Sequence, residues 1–318
     1  MLRRIRALVI PPAWTDVWIC VDPEGHLQVT ARDARGRKQY RYHPDFRQRQ
    51  DEVKFERLFS LSEVLWKIRE RVETDIARPG LTREKVMATV VWLLEQTLMR
   101  IGTPEYAKAN KSFGLTTLRR RHVAVDGSQL RFEFRGKSGV PHAVEVTDRR
   151  IARIVQRCQE LPGQELFQFL DDEGRRQGVD AGDINEYLRE ITGRDISAKD
   201  FRTWAGTMDA AKELRRMGSA RTKRDRERNI LLAVDETARK LGNTRSVCRK
   251  YYIHPALLEA YRQGRVLPPQ EARTFRERQS EMSPLRRHER EVLAFLRAEE
   301  VEPTGKPAPD RPTGGAPR

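Results

Sequence analysis

Long apolar runs, paired cysteines and an excess of acid are all missing from this chain, and each absence removes a class of protein. No stretch of its 318 residues approaches the roughly 20 apolar residues of a membrane-spanning helix. The opening M-L-R-R-I-R-A-L-V-I is cut at Pro11-Pro12, far short of a signal-peptide apolar region. Its three cysteines, Cys20, Cys158 and Cys248, are dispersed, with no Cys-x-x-Cys and no Cys/His ligand spacing. Neither a disulfide framework nor a zinc site is supported. The expectation is a soluble protein of a reducing, cytoplasmic compartment, with no membrane partner. Internal repeats are absent too.

What the chain has is positive charge. Lys plus Arg number 62 against 46 Asp plus Glu, a formal net charge of +16. Such a balance speaks to partners and solubility rather than to fold. A solubilising surface would explain it, but the cations cluster, which points to a polyanion-binding face. Arginine far outnumbers lysine, and its planar fork suits bidentate phosphate contacts.

Patterning changes along the chain. Val17–Val21, His26–Thr30 and Lys38–Tyr42 read as strands, separated by Asp22-Pro23-Glu24-Gly25 and a basic turn around Arg35-Gly36-Arg37. From Asp51 the spacing of Val53, Phe55, Leu58, Leu61, Val64, Leu65 and Ile68 is helical, and Pro79-Gly80 stops it. Lys85–Ile101 is apolar on several faces, as a central buried helix is. Val123–Val125, Leu130–Phe134 and Val140–Val146 alternate as short strands, joined by Asp126-Gly127-Ser128 and Gly136-Lys137-Ser138-Gly139. Helices are expected over 148–160, 180–192, 198–217, 221–241 and 254–262, with one more amphipathic stretch near 285–299. The Pro/Gly-rich end cannot bury enough apolar surface to fold. The expected fold class is α+β. A small antiparallel β domain spans 1–50, and a linker lies near 48–54. A larger, mainly helical domain with a β-hairpin insert spans 51–266, and a charged extension with a disordered tail spans 267–318.

Five residues stand out by context: Arg100 in M-R-I-G, Lys137 in F-R-G-K-S-G, Arg202 in K-D-F-R-T-W-A-G, Asn243 in L-G-N-T and Tyr252 in R-K-Y-Y-I. Four can hold a phosphate and the fifth is a candidate nucleophile. Each has a plainer reading. Arg100 can complement the end of the preceding helix, and Lys137 can be a solvated turn residue. Arg202 can be a surface arginine, Asn243 a helix C-cap and Tyr252 a packed aromatic. Ser197 and Asp200 have capping-box spacing, which sets Arg202 early in a helix. The stripe of Phe201, Trp204, Ala205 and Met208 directs Arg202 elsewhere than the core. Gly136-Lys137-Ser138 also matches the end of a phosphate-binding loop, but Arg131 stands at the first glycine position and strands flank it. No carboxylate cluster accompanies these motifs, which favours metal-independent chemistry with no cofactor.

In this order and setting the five motifs resemble the active site of the type IB DNA topoisomerases, the poxvirus-like bacterial branch, over nearly the whole chain except its tail. The resemblance implies two lobes that clamp duplex DNA. It also implies a tyrosine that joins the 3′ phosphate, rotation of the cut duplex to shed supercoils of either sign, and resealing without ATP. It selects Tyr252, nine positions after Asn243, as nucleophile, and leaves Tyr251 to packing. It makes Arg100 and Arg202 phosphate ligands and Lys137 the acid for the 5′ oxygen. Asn243 departs from the histidine found in many relatives; it donates a neutral hydrogen bond and exchanges no proton. Arg35, Arg37, Lys38, Gln39, Tyr40 and Tyr42 in G-R-K-Q-Y-R-Y, together with Tyr106 and Lys199, are the expected DNA contacts. Double-stranded DNA is the expected partner, the nucleoid of a bacterial cytoplasm the expected location, and a monomer the expected state. A tyrosine site-specific recombinase shares this chemistry, although its DNA-binding lobe is usually helical. A non-catalytic basic module would require the five motifs to coincide by chance.

Overall fold

The computed structural model describes residues 2–269 and 285–301. Two compact units divide the chain, Met1–Leu58 and Phe59–Arg318.

The first unit holds α1 (Leu2–Ala7) and an antiparallel sheet of β1 (Thr15–Ile19), β2 (Leu27–Arg32) and β3 (Lys38–Tyr42), in the order β1-β2-β3. Trp18 pairs with Thr30, and Thr30 with Tyr40, so these three share one face. The first strand begins at Thr15 rather than Val17, and a register shift falls between Thr15 and Trp18. Val21, expected inside that strand, lies beyond it and is 81% exposed. Asp33 organises the turn after β2. Its carboxylate accepts the Arg35 and Arg37 amides at 2.9 and 3.0 Å, Arg37 Nε at 2.8 Å and Gln39 Nε2 at 2.9 Å. The Arg37 guanidinium, chiefly, lowers the Asp33 carboxyl to about 2.

Next comes α2 (Pro44–Ala77), 34 residues without a break. Residues 48–54 are therefore helix, not a linker. No Gly or Pro interrupts residues 45–78, so the helix has no reason to stop there. Beyond α2, α3 (Arg83–Thr97) starts at Thr82, whose hydroxyl accepts the Lys85 amide, and buries Val86, Met87, Val90, Val91, Leu93 and Leu94. It ends where Leu98 turns left-handed (φ +56°), three residues before the expected Ile101.

After α4 (Pro104–Asn110), β4 (Val123–Asp126), β5 (Gln129–Arg135) and β6 (Pro141–Thr147) form an antiparallel meander. Leu130, Phe132 and Phe134 alternate inward. Next come α5 (Arg149–Glu160) and a two-stranded hairpin of β7 (Gln168–Leu170) and β8 (Arg176–Gly178). The acidic Asp171-Asp172-Glu173 loop is the tip of that hairpin, and the Asp171 carboxylate accepts the Arg175 amide at 2.8 Å. The helices α6 (Ala181–Thr192), α7 (Ala198–Met217), α8 (Lys223–Leu241), α9 (Arg245–Tyr251) and α10 (Pro255–Arg262) follow. The basic run from Arg215 to Arg228 is mostly helical, with only residues 218–222 between α7 and α8.

The stretch near 285–299 is α11 (Arg287–Val301). It buries Val292, Leu293 and Leu296 and joins the larger unit through ion pairs. Glu289 and Glu95 both meet Arg69 at 2.7 Å, and Glu291 meets Arg215 at 2.8 Å. The Pro/Gly tail lies outside the described residues, as does the segment 270–284.

One polar cluster pins α2 to α6. The Asp75 carboxylate is fully buried and accepts from Arg71 Nε at 2.7 Å, Arg78 Nε at 2.6 Å and the Tyr187 hydroxyl at 2.8 Å. Asp75→Ala leaves a buried phenol without its acceptor and should cost about 2–3 kcal/mol. In a unit of this size that lowers the melting temperature by about 5–10 °C. An unchanged melting curve would show that the cluster is dispensable.

Candidate active site

The expected site residues meet in the larger unit. Arg100, Lys137, Arg202 and Tyr252 line one cavity of about 320 Å³, and Tyr106 and Lys199 line it with them. Asn243 is the exception: it borders the group through Arg100 rather than lining the cavity.

Backbone geometry explains L-G-N-T. Gly242 closes α8 in the left-handed conformation (φ +58°) and Thr244 opens α9, its hydroxyl accepting the Val247 amide at 3.4 Å. Asn243 is thus the one residue between two helices. The spacing to Tyr252 is the length of α9, since Tyr252 caps that helix and donates its amide to the Cys248 carbonyl at 2.9 Å. Two features of α7 hold the tyrosine from behind. A side chain at Gly206 would place Cβ within 3.0 Å of the Tyr252 carbonyl oxygen. Thr207 Oγ1 lies 3.4 Å from that oxygen and accepts the His254 amide at 3.1 Å.

Tyr252 and Tyr251 part company in space. Tyr252 is half-buried and borders the cavity, with the Arg202 guanidinium 5.2 Å from its ring centroid. Tyr251 does not line the cavity and is 40% exposed, so it is not the packed partner that the sequence suggests.

Arg202 is a second correction. It is only 4% exposed, although the apolar stripe of α7 should have turned it outward. Its guanidinium enters the interior because two helices end there. It donates to the Leu98 carbonyl at the C-terminus of α3, and to the Leu241 carbonyl at the C-terminus of α8 at 2.7 Å. Those carbonyls have no partner within their own helices and carry the negative ends of the helix dipoles. Burial first, and Arg100 second, push Arg202 down to about 10, so it stays cationic at neutral pH. Asp200 steadies the start of α7 by accepting both the Ser197 amide and hydroxyl at 2.8 Å.

Arg100 does meet a helix end, but not that of its own helix. Past Leu98 the chain leaves the helix and is pinned where the Leu115 amide donates to the Arg100 carbonyl and the Thr116 amide to that of Ile101, both at 2.8 Å. The side chain reaches α8 instead, donating to the Gly242 carbonyl at 3.3 Å and to Asn243 Oδ1. An arginine can only donate, so Oδ1 must face it and Nδ2 must point away. Nδ2 is buried without an acceptor among the described residues, and so is Arg202 Nε. Burial pulls the Arg100 pKa below its ordinary value.

Lys137 sits at the β5–β6 turn, where Ser138 and Gly139 both take positive φ (+64° and +75°). The lysine is exposed.

Sequence reasoning missed His142 of β6, the residue whose ring separates the turns of Lys137 and Asn243. Its ring stacks on Phe134 at 5.2 Å. Burial, then Arg100 and Arg202, lower its pKa, so it is neutral at neutral pH. The sequence signal was a pair of glycines, Gly136 and Gly242, each directly before a site residue. The expected DNA contacts of the first unit divide in two. Arg37 and Gln39 are held by Asp33. Arg35 and Lys38 are exposed, and Tyr40 and Tyr42 are 45% and 39% exposed.

Comparison with known proteins identifies the family. Residues 43–274 match the family model of the eukaryotic DNA topoisomerase I catalytic core, and residues 1–33 that of the bacterial DNA topoisomerase IB N-terminal domain. The DNA topoisomerase 1B of Acanthamoeba polyphaga mimivirus is 32% identical over 267 residues, covering 82% of this chain and 80% of that protein. The DNA topoisomerase 1B of vaccinia virus (strain Copenhagen) is 22% identical over 256 residues, 79% of this chain and 77% of that one. The match to DNA topoisomerase 1 of Mycosarcoma maydis, 22% identical, takes in 62% of this chain but 22% of that longer protein. A family model running through all five motifs, and a relative aligned along most of both chains, make this chain a member of the type IB DNA topoisomerase family.

Proposed function

We propose that this protein relaxes positively and negatively supercoiled duplex DNA by cutting and resealing one strand through Tyr252, acting as a monomer without metal or ATP. One observation carries the reading. Buried Arg202 and half-buried Arg100 converge with Tyr252, and two buried donor atoms, Arg202 Nε and Asn243 Nδ2, have no protein acceptor among the described residues. A buried donor without a partner is costly. A phosphate's non-bridging oxygens would satisfy both.

The Tyr252 oxygen attacks the scissile phosphorus and gives up its proton to solvent water as the new P–O bond forms. The bond from phosphorus to the 5′ oxygen breaks, and Lys137 protonates the departing oxygen. Arg100 and Arg202 hold the charge that builds on the non-bridging oxygens. They are positioned for it beforehand by helix-end carbonyls, so little reorganisation accompanies the reaction. The phosphotyrosyl ester replaces one phosphodiester bond with another of similar energy, so attack by the 5′ hydroxyl reseals the strand. Lys199 and Tyr106, at the cavity wall, contact the flanking DNA. Arg35, Arg37, Lys38, Gln39, Tyr40 and Tyr42 of the N-terminal sheet form a second contact. There the Asp33-centred turn presents Arg35 and Lys38 to phosphates, while Tyr40 and Tyr42 lie against the groove. Work on chromosomal DNA would place the protein at the nucleoid.

In EDTA and without ATP, wild type should relax supercoiled plasmid and Tyr252→Phe should not, whereas Tyr251→Phe should match wild type. Relaxation by Tyr252→Phe would move the nucleophile elsewhere. Lys137→Ala should slow strand cleavage by about 10²–10⁴-fold, the usual contribution of a general acid. Asn243→Ala should slow it by roughly 10-fold or more, since one charge-facing donor is lost. Because asparagine does not titrate, the ratio of wild-type to Asn243→Ala rates should stay flat from about pH 6 to pH 8. A full cleavage rate in Asn243→Ala would remove that residue from the mechanism. DNA affinity should fall steeply with salt, and Arg35→Ala and Lys38→Ala should each flatten the log–log slope by about 0.9. An unaltered slope in both variants would take these side chains off the phosphate backbone.

A further inference from the structure

His142 does not line the candidate cavity and has no task in the proposed reaction, but its ring packs against the residues that precede Lys137 and Asn243. It lies in β6 directly opposite Phe134 of β5, and the two rings stack nearly parallel, 7° apart, at 5.2 Å. The ring also fills the space that two other side chains would need. A Cβ built at Gly136 would fall within 3.0 Å of His142 Cδ2 and Nε2, and one built at Gly242 within 3.0 Å of His142 Cε1. Gly136 immediately precedes Lys137 and Gly242 immediately precedes Asn243.

Backbone conformation sharpens the point. Gly136 has φ −88° and ψ −166°, an extended conformation open to any residue. Its missing side chain is therefore explained by the ring beside it, not by the turn. Gly242 has its own reason to be glycine in the left-handed cap, and the ring adds a second. His142 makes no hydrogen bond among the described residues, so its contribution here is shape rather than a proton relay.

We propose that His142 is a positioning residue, a flat ring wedged between the Lys137 turn and the α8 C-cap that sets the separation of Lys137 from the Asn243–Arg100 pair. The inference rests on the roles proposed above for Lys137 and Asn243. Its effect is on the rate of the chemical step, because an error of about 1 Å in the placement of reacting groups can cost about 10²-fold. DNA affinity, set mostly by phosphate contacts spread over the protein, is insensitive to it.

The test compares His142→Ala, His142→Phe and His142→Gln, each checked by its melting curve. The first readout is the maximal relaxation rate with protein in excess over plasmid, beside the dissociation constant for a linear duplex. His142→Ala should relax about 10–100-fold more slowly with DNA affinity within about 2-fold of wild type, and His142→Phe should recover to within about 3-fold. If His142→Ala is too unstable to assay, Phe must still outpace Gln. A full rate in His142→Ala, or a Gln variant faster than Phe, overturns the proposal, the latter because a hydrogen-bonding nitrogen would then matter more than the ring. A second readout needs no activity. The ring shifts the amide resonances of Gly136 and Gly242; both shifts should vanish in His142→Ala and survive in His142→Phe. Glycine resonances indifferent to His142→Ala would overturn the wedge. If wild type relaxes no plasmid while these shifts behave as stated, the proposed reaction fails and the wedge stands.

Discussion

The buried guanidinium of Arg202 is the interaction around which the catalytic unit is arranged. A cation at 4% exposure would be very costly in an apolar interior, and no carboxylate is paired with it among the described residues. Its compensation comes from the backbone. The terminal carbonyls of α3 and α8 converge on it, so two helix ends that would otherwise need capping are satisfied by one side chain. Neutral acceptors leave its positive charge uncancelled, where a carboxylate would have neutralised it. That is the condition a phosphate-holding arginine has to meet.

Arg100 extends the same logic. It takes the next carbonyl of α8 and the Asn243 amide oxygen, so successive residues at one helix terminus hold both arginines. The cost is mutual repulsion, which adds to the larger effect of burial in lowering the pKa of Arg202. The benefit is a concentrated positive field beside Tyr252. The acidic side chains nearest in sequence are occupied elsewhere: Asp200 caps α7 through Ser197, and Asp209 meets Lys240 at 3.5 Å.

Around this core, close backbone approach does what side-chain contacts do elsewhere. Gly206 lets α7 lie against Tyr252, and Gly114 lets residues 100–102 cross the segment that pins Arg100. Gly136 and Gly242 admit the His142 ring. Small residues at such crossings leave little slack, which suits groups that must meet a phosphate within fractions of an ångström. The N-terminal sheet is organised differently, with Asp33 ordering a basic, exposed turn by hydrogen bonds alone.

By itself the sequence determined the α+β class, the strand triplets and most helices, and it singled out five candidate site residues. Periodicity and turn chemistry are local, and the motifs carry family information residue by residue. It also contained, in L-G-N-T, a helix end and a helix start separated by one residue. What the tertiary structure alone decided concerns direction and partners. Helical spacing assigned Arg202 to the outside of α7, and only the convergence of two distant helix termini drew it in. The dipole argument for Arg100 was sound, but the helix end it serves belongs to α8, some 140 positions later in the chain. Motif spacing chose Tyr252 over its neighbour, but only the folded chain sets Tyr252 at the cavity and leaves Tyr251, expected to pack, exposed. The expected linker at 48–54 proved to be helix, because polarity alone does not stop a helix that lacks Gly or Pro. His142 was invisible for the same reason: its significance lies in two glycines, one six residues before it and one a hundred after, that only the folded chain brings to its ring.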